Sequence, residues 1–131
     1  MKQIAEFLLS KNKKYDKSIT DNSSIEELLN FAEKHGVKHY FSYIPASNSD
    51  KLLCVSDKEN KKFFMLARAI SLYSGDYIIV EKYNNAWILK YDDNNGHFNK
   101  RSINFDTALT IMNEMINDEI TVKEIYDKYC K

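Results

Sequence analysis

KKFFMLARAISLYSGDY, residues 61–77, is the most apolar stretch of the chain, yet it holds Arg68, one of only two arginines. How it is read decides the fold. It has no glycine or proline from 60 to 74, spans about four helical turns, and stops at Gly75. Wound as a helix, it is apolar over most of its circumference, with Lys61, Arg68 and Ser71 in one narrow polar arc beside Phe64. The reading is a central helix, walled in between a sheet and other helices. Arg68 then has two roles open to it. Its stem packs on apolar neighbours while its head meets a carboxylate of the chain, or its guanidinium grips a phosphate or a partner's carboxylate as a bidentate fork.

Upstream, Ile4, Phe7 and Leu8 share a face of a short helix over 2–11, followed by a polar loop to residue 22. Ser24-Ile-Glu-Glu27 is a capping box opening a second helix, with Ile25, Leu28, Leu29 and Ala32 as its apolar face and Gly36 at its left-handed C-terminal end. VKHYFSYI (37–44) and KLLCVS (51–56) read as strands joined by a polar turn, an antiparallel hairpin.

Downstream, DYIIVEKY and AWILKYD flank Asn84-Asn85, which suits a type I′ turn, and Asp92-Asp93-Asn94-Asn95-Gly96 turns the chain into HFNKRSI. Asn104 caps a helix over 105–117, and Thr121 to Glu124 is a second capping box, with Ile120 and Ile125 as a staple. The order is ααββαβββαα in a single domain spanning 1–131. The fold class is α+β, an antiparallel sheet of about five strands packed against helices.

Composition narrows the function. Lys plus Arg and Asp plus Glu are 19 each, so the net charge gives no bulk argument for a dedicated nucleic-acid binder. No apolar run approaches the ~18 residues of a membrane span, and the first 18 residues, with Glu6 and no small-residue cleavage site, do not read as a signal peptide. Two cysteines, Cys54 and Cys130, make no disulfide framework, so reduced thiols in a cytoplasm are expected. Two arginines beside many lysines, with abundant Asn and Ile, suggest an AT-rich bacterial or phage genome.

No motif carries chemistry. His35 and His39 have zinc-helix spacing, but Gly36 ends the helix between them, so no metal is expected. Asp92 to Gly96 fails the register of a calcium loop, since His97 stands where glycine is needed. Asp57, Glu59 and Lys61 faintly match a magnesium nuclease strand, but fall at a strand-to-helix junction where Asp57 or Asn60 serves as a cap. Cys54, between Leu53 and Val55, reads as a buried hydrophobe. No cofactor is implied.

Aromatic residues reach 13% and concentrate on the strands; ordinary sheet packing accounts for most of this, and the alternative is a surface of exposed rings at a protein interface. The expectation is a small non-enzymatic protein-binding module, encoded by a phage or mobile element and inhibiting a host defence system by covering a surface. Tyr83, Trp87, Tyr91, Arg101 and Arg68 are its binding residues. The alternative is a nucleic-acid or nucleotide binder using Arg68, Arg101 and lysines for phosphate with tyrosines for stacking, and a metal-dependent nuclease comes third. The edge of 97–103 also offers self-pairing into a homo-oligomer.

Overall fold

A computed structural model describes residues 15–41, 51–57, 62–71, 75–93, 98–117, 124 and 127–128. Helix α1 (Ile25–Glu33) is followed by strands β1 (Lys38–Tyr40), β2 (Lys51–Ser56), β3 (Phe63–Ser71), β4 (Gly75–Tyr83), β5 (Ala86–Asp92) and β6 (Phe98–Ile103), then helix α2 (Phe105–Ile116). The strands form one sheet in the order β1-β2-β3-β4-β5-β6. The class is α+β, with one more strand than expected. The helix expected over 2–11 lies outside the described residues, and of the one expected from 121 onward only 124, 127 and 128 are described, all three helical.

Where a central helix was expected over 60–74, residues 63–71 form a strand. Residues 63–71 pair antiparallel with both β2 and β4, placing Leu66 opposite Cys54 on one side and Val80 on the other. Phe64, Leu66 and Arg68 face the helices, while Phe63, Met65, Ala67 and Ala69 face the opposite way. Both faces are covered: Phe64, Leu66 and Ala67 are fully buried, and Met65 packs against a second apolar cluster. A strand buried on both sides loses the alternation that marks a strand, and its apolar run then fits a helix equally well. Met, Leu, Ala and Arg are also strong helix formers, so local preference points the wrong way and non-local pairing overrides it.

A second difference concerns β1, which runs parallel to β2, with His39 opposite Cys54, where an antiparallel hairpin was expected. Parallel neighbours need a crossover instead of a tight turn. The β4–β5 hairpin keeps its two-residue loop, with Tyr83 opposite Ala86. Of the two loop residues only Asn84 has a positive φ, 55°, so the turn departs from type I′, which needs it at both.

Local caps form as their residues require. Ser24 Oγ accepts from the Glu27 amide at 3.1 Å while the Glu27 carboxylate accepts from the Ser24 amide at 2.9 Å. Gly36 ends the turn after α1 at φ 76°, and Asn104 caps α2 through the Thr107 amide.

Both helices lie on one face of the sheet. The main core joins Leu28, Phe31 and Ala32 of α1 and Ala108, Ile111, Met112 and Met115 of α2 to Cys54, Phe64, Leu66, Ile78, Val80, Trp87, Leu89 and Tyr91. Each large side chain so buried contributes roughly 1.5–3 kcal/mol. The other face carries a smaller cluster of Leu53, Val55, Ala67 and Ile79, flanked by Tyr40, Phe63, Met65 and Tyr77.

Residues 15–24 strap the helices to the sheet. The Asp16 amide donates to Asn113 Oδ1 at 2.6 Å, and Asn113 Nδ2 donates back to the Asp16 carbonyl at 3.0 Å. Ile19 is buried in the core. Further along, Lys82 Nζ donates to the Asp21 and Ser23 carbonyls, and Trp87 Nε1 donates to Asp21 Oδ1 at 2.8 Å. Among the described residues, no helix is long and apolar enough to cross a membrane.

Candidate functional site

Arg68 belongs to the interior. It is buried on the helix face of β3, and its Nη2 donates to the Met115 carbonyl at 3.0 Å. Met115 lies in the last turn of α2, which has no basic residue of its own. The guanidinium therefore meets the negative end of the helix dipole, which favours a cation there. A main-chain carbonyl is thus one of the groups that hold it.

The five expected contact residues divide by face. Trp87 and Tyr91 lie on the helix side of β5 with Leu89 between them, all three buried. The Trp87 indole is held by Asp21, stands 5.6 Å from the Phe105 ring and lies under the Lys82 ammonium. These rings are committed to the core. Tyr83 is 46% exposed at the end of β4. Arg101 is exposed on β6, its Nε donating to Asn99 Oδ1 at 3.1 Å.

Among the described residues, Cys54 is buried and His35 and His39 each meet a side chain of the fold. Cys54 is fully buried, and burial, with the Glu33 charge, pushes its thiol up to about 12. A thiol so protonated is no nucleophile at neutral pH. His39 Nε2 lies 2.8 Å from Ser56 Oγ, but that serine is buried within β2. His35 Nε2 lies 2.8 Å from Asp16 Oδ2. Among the described residues, no three of His, Cys, Asp and Glu converge as a metal site would require. Of the nuclease triplet, Glu59 and Lys61 lie outside the described residues, as does Cys130.

Asp16 has an electrostatic consequence of its own. Burial opposes its ionisation, but Lys34 Nζ at 2.7 Å, the Ser18 amide at 2.8 Å and His35 outweigh that, holding the carboxyl well below the usual carboxylate range. A depressed folded pKa gives stability that is complete above the unfolded value of about 4 and is lost as pH falls below it. Urea midpoints should therefore drop between about pH 5 and pH 2 more steeply for the native chain than for Asp16→Asn. Equal slopes would remove Asp16 from the account of acid sensitivity.

One open cleft of about 350 Å³ lies at the start of α1, lined by Asp21, Ser24, Ile25, Lys62, Lys82, Asn84 and Asn85 among others. The capping box already uses the helix donors there, and the Lys82 ammonium is turned onto two carbonyls. The cleft offers mixed charge and no convergent set of donors.

The outermost strand is different. β6 pairs with β5 on one side, with Lys100 opposite Lys90 and Arg101 opposite Leu89, and no described strand pairs with its other edge. Phe98 is 61% exposed, and Lys100, Arg101 and Ser102 are exposed beside it. One row of the outer face reads, strand by strand, Lys38, Leu53, Ala67, Ile79, Lys90 and Lys100. Its apolar centre gives way to a lysine at each margin. Lys90 is paired with Glu81 at 2.8 Å, a diagonal cross-strand neighbour. Sequence reading named this edge and Arg101 but missed Phe98, whose signal was a large aromatic next to a turn on the last strand. No family model, curated protein or solved structure matches the chain.

Proposed function

We propose that the chain is a non-enzymatic module that binds another protein and acts by covering part of its surface. The observation that supports this best is the β6 margin, where a strongly exposed phenylalanine shares the outer face with exposed Lys100. No described strand pairs with the other edge of β6, and Arg101 is exposed on the opposite face. A large exposed aromatic is a favourable anchor for a protein interface. Inhibition of a host defence component, encoded by a phage or mobile element, is the form of this activity suggested by the small size and residue usage. A phosphate-binding role draws less support, because Arg68, Trp87 and Tyr91 are buried and Lys82 is bound to main-chain carbonyls.

Affinity capture from source cells with the full chain as bait tests the reading. The expected result is one protein retained in near-stoichiometric amount, with retention little changed between low and moderate salt. Recovery of nucleic acid alone, weakening steeply with salt as counterion release requires, would overturn it.

A further inference from the structure

We propose that the outer edge of β6 docks an extended acidic segment of a partner protein as a seventh strand, an inference that rests on the protein-binding reading above. The two-residue β4–β5 loop makes Tyr83 and Ala86 a hydrogen-bonded pair. Pairs alternate along antiparallel strands, so Trp87, Leu89 and Tyr91 turn their main-chain groups toward β6, onto Ile103, Arg101 and Asn99. The N–H and C=O groups of Phe98, Lys100 and Ser102 then point away from the sheet. An added strand finds three residues with outward donors and acceptors, the arrangement used in strand-addition recognition.

The side chains select the occupant. Lys100 rises from the outer face at the middle of these three residues, and Phe98 stands two positions away on the same face. Lys90 behind it is already neutralised by Glu81. A carboxylate opposite Lys100 continues the alternation of charge across the sheet, and an apolar residue two positions from it covers Phe98.

A second copy of this chain fits poorly. An antiparallel self-pairing that uses all three outward residues sets Lys100 against itself and Phe98 against Ser102. Shifting the centre by one residue sets Arg101 against itself, or leaves two of the three in use. Like charges directly opposite are destabilising, and charged edge residues are a common guard against self-association.

Selection of a random twelve-residue peptide library on the immobilised full chain tests this. Enriched peptides are expected to carry Asp or Glu two positions from an apolar residue. Their binding should shift the amide resonances of Phe98, Lys100 and Ser102, and Lys100→Glu should weaken it by about tenfold and redirect selection toward basic peptides. Enrichment without acidic bias, resonance shifts elsewhere or no enrichment would overturn the proposal. So would a wild-type dimer that Lys100→Pro dissociates. If cellular capture yields a partner while these peptides fail, the edge assignment alone falls; if capture yields none, the binding reading falls with it.

Discussion

Replacing Asn113 by alanine is expected to lower the unfolding free energy by about 3 kcal/mol. Asn113 is fully buried in α2, and its amide group answers both main-chain groups of Asp16. Removing it orphans a buried N–H and a buried C=O together, each costing about 1–3 kcal/mol when left unpaired. The strap from 15 to 24 would lose its anchor on α2, and the Asp16 contacts with Lys34 and His35 would lose their fixed geometry. Urea denaturation followed by circular dichroism measures the effect. A change below about 1 kcal/mol, the worth of an ordinary solvated hydrogen bond, would mean that the strap is held by other contacts.

The second large effect separates two adjacent phenylalanines. Phe64→Ala should cost about 3–5 kcal/mol, the range for emptying a packed aromatic site. Phe64 is fully buried in the main core on the helix face, whereas Phe63 is half-buried on the opposite face of the same strand. Phe63→Ala should therefore cost about 1 kcal/mol, close to the average for a single substitution. A strand sends neighbours to opposite faces, so the contrast reports on backbone geometry as well as burial. Equal costs at the two positions would argue against the alternation.

What could be read from the sequence was local. Ser24 with Glu27, Gly36 and Asn104 act within a few residues of themselves, and their caps formed where the residue types placed them. The β4 alternation was legible too, with Ile78, Val80 and Lys82 on one side and Ile79 and Tyr83 on the other. Carrying that alternation through the two-residue turn would have put Trp87, Leu89 and Tyr91 on the Val80 side, inside the core. Their aromatic character suggested an interface instead. Residues 63–71 misled for a different reason, since a doubly buried strand made of helix formers has no local signature. The Asp16–Asn113 clamp, 97 residues apart in the chain, had none either. For the candidate site, the open edge was visible as a last short strand, and Arg101 lay on it. Its aromatic anchor and the row of residues leading to Lys100 emerged only with the strand register.

The burial of Arg68, the two-sided sheet and the position of β6 all depend on residues 63–71 being a strand between β2 and β4. Nuclear Overhauser contacts between backbone Hα protons of the folded chain test that directly. Close Hα–Hα contacts are predicted for Met65 with Glu81, Ala67 with Ile79 and Leu66 with Cys54, the non-hydrogen-bonded pairs of this register. Sequential amide–amide contacts through 63–71, with Hα of one residue close to the amide three residues on, would instead show a helix and contradict the account.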